Sequence, residues 1–345
     1  MKVLKKVLAY IMISGMVFSL TACGAALEET TKETTKETTK ETTKETIKET
    51  SADNADNTRQ TVKIAYLPLT HALPLYVENE LGKENFKNMN VELIKFGSWP
   101  ELMDALNTGK VDGASVLIEL AMKAKEQGID LKAVALGHRD GNAVVVSQEI
   151  NKVTDLKGKT FAIPHRLSTH NILLYQMLKN AGMSYTDVNV VELPPPEMPA
   201  ALAEGRISGY VVAEPFGAKS VAMGKGKALF QSEDIWKDSV CCGLILRNKF
   251  IQNNSKAAQE LVDEYIRAGK YIDSHGARVN DIAKQYMKIE QNVLDLSMKW
   301  ISYKDLKIYE KDYNDLRKYI TEMELSKNPP LYKDFVDNSF IDKVK

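Results

Sequence analysis

PPEMPAALAEGRISGYVVAEPF, residues 195–216, is the stretch on which the reading of this chain turns. It predicts a helix stopped by Gly205, a short basic turn, a buried strand over 209–213, and then a carboxylate followed by a proline. The same grammar occurs earlier. Ala105-Leu106-x-x-Gly109-Lys110-Val111-Asp112-Gly113 matches Ala201-Leu202-x-x-Gly205-Arg206-Ile207-Ser208-Gly209 position for position. A second echo precedes each copy: KIAYLP (63–68) is followed by Thr70-His71, and KTFAIP (159–164) by Thr169-His170. Each block therefore runs strand, Thr-His loop, helix, strand, helix, Gly-Lys/Arg turn, strand. Two such blocks predict two α/β lobes of like design, facing one another across a cleft.

Working outward, the apolar runs at 62–67, 91–96, 111–117 and 131–136 read as strands of lobe one, assigned to residues 61–145. A helix is expected over 69–81, ending at Gly82. Ser98-Trp99-Pro100-Glu101 has the form of a capping box, with Gly109 closing the helix it opens. Lobe two is assigned to 146–243. Ser168 there caps a helix with Leu173, Leu174, Met177, Leu178 and Ala181 on one face. The strands at 142–147 and 240–246 are routes between the lobes. Residues 244–345 return to lobe one and continue as helices packed on it.

The start of the chain has a different character. Lys2, Lys5 and Lys6 precede an apolar run over 7–20 that is short for a membrane span, and Leu20-Thr21-Ala22-Cys23-Gly24 follows. This has the pattern of a bacterial lipoprotein signal peptide (1–23), with the Cys23 thiol as the lipid acceptor. Residues 24–60 repeat a Thr-Thr-Lys-Glu tetrad and then turn Asn/Asp-rich. Threonine is a poor helix former and the segment has nothing to bury, so it reads as a disordered spacer. Fully extended it reaches on the order of 120 Å at about 3.3 Å per residue. The expected location is the outer face of a cell membrane, anchored through lipid on Cys23.

Composition narrows the partners. Lysine plus arginine equals aspartate plus glutamate, 46 each, which argues against a nucleic-acid partner. A nucleotide-binding G-x-x-x-x-G-K-[ST] loop, a G-x-G-x-x-G turn, a G-x-S-x-G elbow and an H-E-x-x-H helix are all missing. Catalytic residues, a cofactor and metal ligands are accordingly not expected. Cys241 and Cys242 are adjacent, with Cα atoms about 3.8 Å apart, closer than a disulfide normally spans. Both are expected to be free thiols, more as small buried hydrophobes than as nucleophiles.

In open α/β sheets ligands sit beyond the carboxyl ends of strands, where helix N-termini also point. That geometry selects Thr70, His71, Trp99, Thr169, His170 and Glu214. Trp99 is either a flat cleft wall or core packing. Glu214 is a cap for the next helix, a partner for a cationic ligand group, or a bridge between lobes, with capping the default. His138 and His165 have no supporting context, and His275 reads as a solvated residue.

Residues 62–247 resemble the solute-binding proteins of bacterial ABC importers. The resemblance is to the nitrate/sulfonate/taurine/bicarbonate group, which has the type II periplasmic-binding-protein fold. It is carried by Leu69-Thr70-His71-Ala72-x-Pro74-Leu75, Ser98-Trp99, Gly109-Lys110-Val111-Asp112-Gly113-Ala114, Thr169-His170-Asn171, Pro194-Pro195-Pro196-x-Met198 and Ala213-Glu214-Pro215-Phe216. It implies that Trp99, Asn142 and His170 line a small-anion pocket. Asn142 stands where glutamine is usual, and Cys242 falls where a lysine would face nitrate. A buried anion without a counter-charge is costly, so a sulfonate, a larger carboxylate or a neutral heteroaromatic such as a thiamine precursor is equally open. The resemblance further implies a monomer that captures a small solute between lobes and passes it to an ABC permease driven by a separate ATPase. Enzymes that make pyrimidine precursors on the same fold are the rival reading.

Overall fold

The structure is a computed structural model that describes residues 59–344. The signal peptide, Cys23 and nearly all of the spacer lie outside the described residues. In chain order the strands are β1 (Gln60–Tyr66), β2 (Met89–Lys95), β3 (Gly113–Leu117), β4 (Leu131–Leu136), β5 (Arg139–Asp140) and β6 (Asn142–Val146). They continue with β7 (Thr160–Ile163), β8 (Asn189–Glu192), β9 (Gly209–Ala213), β10 (Lys227–Gln231), β11 (Cys242–Arg247) and β12 (Ile301–Ser302).

Two five-stranded sheets result, ordered β2-β1-β3-β11-β4 and β10-β6-β9-β7-β8. Read from the other edge, the second sheet is β8-β7-β9-β6-β10, the same topology as the first. In both sheets the first three strands run parallel and the crossing strand, β11 or β6, runs antiparallel to its neighbours. The expected two-lobe α/β architecture is what the chain forms. The strand β6 belongs to the second sheet from Asn142, and Cys242 already belongs to the first through β11.

The repeated turn explains itself at these crossings. Gly109 and Gly205 adopt φ of +76° and +71°, a left-handed conformation that glycine takes without a Cβ penalty, and each ends a helix. Gly113 pairs with Leu246 of β11, and Gly209 pairs with Val146 of β6. A Cβ at Gly113 would meet Leu246 at 2.6 Å, and one at Gly209 would meet Phe161 at 2.8 Å and Val146 at 2.9 Å. The second glycine of the motif thus gives the crossing strand room to dock.

Some local expectations are corrected. Ser98 is the N-cap of the helix Trp99–Thr108 but its side chain makes no capping hydrogen bond, so the capping box does not form. Ser168 does cap, accepting the Asn171 N–H at 3.2 Å. The helix expected over 69–81 is broken into a tight turn (Thr70–Ala72), a short α-helix with Pro74 in its first turn (Leu73–Val77) and a wide turn (Glu78–Gly82). The strands β5, β10 and β12 carry no sequence pattern strong enough to have announced them. In the tail, the helix Ser255–Asp273 packs on Leu73–Val77, and Val336 bridges to Ala133 of β4. The helix Gln291–Ser297 packs on Phe216–Ala222 of lobe two.

Candidate functional site

The first strand of each lobe, β1 and β7, ends at a Thr-His corner, and the fold turns both corners into the seam between the sheets. Thr70, His71, Thr169 and His170 are completely buried. Thr70 donates both its N–H (3.0 Å) and its hydroxyl (2.9 Å) to the Glu214 carbonyl of lobe two, and its own carbonyl accepts the Tyr303 hydroxyl at 2.8 Å. Thr70 therefore joins lobe to lobe and lobe to tail.

The Glu214 carboxylate turns the other way, accepting the Ala218 N–H at 3.0 Å inside the helix Phe216–Ala222. Its carboxyl lies over Gly217, where a Cβ would come within 2.4 Å of Oε1. Of the three roles open to it, Glu214 caps with its side chain and bridges lobes with its backbone. Burial raises its carboxyl from 4.5 to about 8.

Across the seam the Thr169 hydroxyl lies against both Glu119 Oε1, from the helix Ile118–Glu126 of lobe one, and the Val240 carbonyl. One hydroxyl proton cannot serve two acceptors. Burial raises the Glu119 carboxyl to about 8, so near neutral pH it carries a proton and donates to Thr169, which donates to Val240.

His71 occupies the middle. Its Nε2–H donates to the Gly141 carbonyl at 2.8 Å, which leaves the Nδ1 lone pair facing Cys242 Sγ at 3.4 Å and Cys241 Sγ at 3.9 Å. Its ring stacks on His138 with centroids 3.5 Å apart. His138 Nδ1–H donates to the Asp140 carbonyl at 2.7 Å, and its Nε2 has no partner. Burial, with the neighbouring His71 ring, holds His138 well below the usual imidazole range. Cys241 and Cys242 are free, buried, and 3.9 Å apart at sulfur; burial pushes the Cys241 thiol up. The Cys241 thiol also donates to Asn142 Oδ1 at 3.7 Å.

Several polar atoms of this seam are unpaired. His170 has no partner at either ring nitrogen, and burial keeps it neutral. Asn142 Nδ2 and Glu119 Oε2 are likewise orphaned. Elsewhere in lobe one, at the start of the helix Trp99–Thr108, Trp99 is buried at 2% exposure with its indole N–H unpaired. Above the seam lies a largely apolar cavity of ≈ 390 Å³ lined by Pro68, Phe96, Pro196, Pro215, Phe216 and Val293, among others. Its walls come from the strand ends of both lobes and from the tail.

Reasoning from sequence missed His138, Cys241, Glu119 and Tyr303 as parts of this place. The first was within reach, because His138 follows the carboxyl end of β4 by the same rule that selected His71. Glu119 and Tyr303 are separated from their partners by long stretches of chain, and no local pattern marks them. Gly137 is what admits the His138 corner, since a Cβ there would come within 2.5 Å of the His71 carbonyl.

Residues 55–286 match the NMT1-like family. Among solved structures, the ligand-binding component of an ABC-type import system from Staphylococcus aureus, described with zinc bound, is 40% identical. It superposes with a TM-score of 0.79, covering 83% of this chain and 99% of that one. The nitrate/nitrite binding protein of Nostoc sp. is 25% identical over 248 residues, 65% of this chain and 56% of the relative. The taurine-binding periplasmic protein of Escherichia coli is 29% identical over 216 residues, 61% of this chain and 66% of the relative. The chain thus spans less than two thirds of either of these two curated relatives. With the family match extending over well more than half its length, the chain belongs to the NMT1-like family and has the fold of ABC-importer solute-binding proteins.

Proposed function

We propose that this protein is the extracytoplasmic solute-binding component of an ABC importer. In this reading a small polar or anionic solute of the nitrate, sulfonate, taurine or bicarbonate type is captured between the lobes and delivered to a membrane permease served by a separate ATPase. The observation that carries it is the seam itself. His170 and Asn142 each bury a polar atom with nothing to bond where the two lobes meet, and Trp99 does the same at the start of its lobe-one helix. An unsatisfied buried polar group costs about 1–3 kcal/mol, so a solute offering complementary donors and acceptors is favoured when both lobes shut on it. The chain holds itself at the outer membrane face through lipid on Cys23 and works as a monomer.

The absence of a cation at Cys242 favours solutes larger or less charged than nitrate, and thiamine-precursor-like heteroaromatics stay among them. The zinc described with the Staphylococcus aureus component adds divalent metal ions to the range. A thermal-shift screen with nitrate, bicarbonate, alkanesulfonates, taurine, thiamine precursors and divalent ions tests the reading. A true solute at one hundred times its Kd stabilises the folded protein by about 2.7 kcal/mol. Trp99→Ala and His170→Ala are expected to abolish that shift; because Trp99 is buried, its truncation also lowers the ligand-free stability, by about 3–5 kcal/mol. Normal binding by both variants would place the solute elsewhere. A cytosolic mature protein, unaffected by Cys23→Ala, would favour an enzyme on this fold instead.

A further inference from the structure

Four donor atoms, one each from His71, His138, Cys241 and Cys242, lie within 4.8 Å of one another, and all four residues are buried. We propose that this cluster is a binding site for one thiophilic divalent cation of the zinc type. The inference goes beyond solute capture and holds whether the ion is cargo or a fixed part of the protein.

The geometry supports it at three levels. A tetrahedral ion with sulfur at about 2.3 Å and nitrogen at about 2.0–2.1 Å requires donors roughly 3.3–3.8 Å apart. Here the two sulfurs are 3.9 Å apart, and His71 Nδ1 stands 3.4 Å and 3.9 Å from them. The cage is therefore within about 1 Å of closing around an ion.

Both imidazoles are also already oriented as metal ligands. Each gives one ring N–H to a backbone carbonyl, His71 to Gly141 and His138 to Asp140, which fixes the tautomer and presents the other nitrogen as a lone pair. Such second partners typically orient metal-bound histidines. For His138 that lone pair is the unpaired buried Nε2, an atom the rest of the fold leaves without a use.

The scaffold is rigid as well. The ligands come from three segments: the Thr-His corner after β1, the turn after β4, and the start of β11. The Gly137 N–H bonds the Cys242 carbonyl at 2.8 Å, and a Cβ on Gly137 would strike the His71 carbonyl. All three segments meet on the lobe-one side, so the site does not depend on lobe two. His170, with both ring nitrogens unpaired, comes from lobe two and is buried in the same seam. Coordination turns each thiol into a thiolate, and the two protons leave to solvent as the ion enters.

The test uses the full chain, treated with chelator and kept reduced, and titrated with Zn²⁺ or Co²⁺ against a chromophoric competitor without any organic solute. The expected result is one ion per chain, a rise in melting temperature, and thiolate-to-cobalt charge-transfer absorption with the intense visible bands of a tetrahedral ion. The double variant Cys241→Ser/Cys242→Ser should lose the charge-transfer band and at least a hundredfold in affinity. His138→Ala should weaken binding at least tenfold with the band shifted but present. Ligand-free melts of both variants report whether each still folds. Substoichiometric binding, a cobalt spectrum without thiolate character, or unchanged affinity in the serine variant would overturn the site. None of those results bears on whether a small organic solute binds at Trp99 and His170, which is scored separately.

Discussion

Glu119 and Glu214 are fully buried carboxyl groups, each raised by burial from 4.5 to about 8. Between those values the folded protein holds protons that the unfolded chain has released, so the sign of the linkage is fixed. Their contribution to stability is complete below about pH 4.5 and declines as the pH climbs to about 8. His138 and His170 act in the opposite sense, since burial depresses both and folding must keep them neutral. Stability from these two falls as the pH drops below 6.5, the ordinary imidazole value. The melting temperature is therefore expected to peak in mildly acidic buffer and to fall toward pH 8.5. Glu119→Gln and Glu214→Gln keep the shape of the protonated acid, and the side-chain amide introduced by Glu119→Gln can still donate to Thr169. Each should leave the melt at pH 6 nearly unchanged and flatten the decline on the alkaline side. A melting profile as steep in the double variant as in the parent would show that other groups set the alkaline limb.

The repeated Gly-Lys/Arg turn shows how one short element does two separable jobs. Gly205 is needed for its positive φ and has open space around it, whereas Gly209 is needed for the close approach of Phe161 and Val146. Gly205→Ala should cost about 1–2 kcal/mol from left-handed strain alone. Gly209→Ala adds a methyl group to a packed strand pair and should cost about 1–3 kcal/mol. Pairing each with Val146→Ala separates the causes: the smaller side chain relieves part of the Gly209→Ala penalty and none of the Gly205→Ala penalty in denaturant unfolding. This motif was also the most legible part of the chain. It occurs twice, its glycines punctuate apolar strands, and it foretold both lobes and their like topology. The strand β10 was not legible because KALFQ is short and pairs only with β6, an irregular edge held by tertiary context. The candidate site was legible where residues follow strand ends, as at His71 and His170. It was illegible where the fold joins distant segments, as at Glu119 with Thr169 or Tyr303 with Thr70. Ser98 shows the converse, a well-formed local signal whose side chain the fold leaves out of the hydrogen bonding.

At the scale of the molecule, two lobes are joined by crossing strands, and the tail packs on the connection that leads into one of them. The strand β12 pairs with β5, which lies between β4 and the crossing strand β6. Ile301 packs so tightly on Gly141 that a Cβ there would come within 2.7 Å of it. Arg139 fastens the arrangement, donating to the Asp305 carbonyl at 2.9 Å and the Lys307 carbonyl at 2.7 Å. It also pairs with the Asp312 carboxylate at 3.3 Å. Its side chain is 13% exposed and that of Asp312 11%, so the pair is poorly screened and its loss leaves a largely buried charge. Arg139→Met, which keeps the apolar stem, should therefore destabilise the protein by roughly 3 kcal/mol, the lower end for breaking a buried pair. Asp312→Asn retains an acceptor for the guanidinium and should cost less. If the tail restrains the crossing strands, Arg139→Met should also broaden the solution scattering profile of the ligand-free protein toward more open lobes. A bound solute should restore the compact profile at a weaker apparent affinity, because part of its binding energy then goes into closing the lobes. A variant that melts lower yet scatters like the parent would confine the role of Arg139 to stability and leave the hinge to β6 and β11 alone.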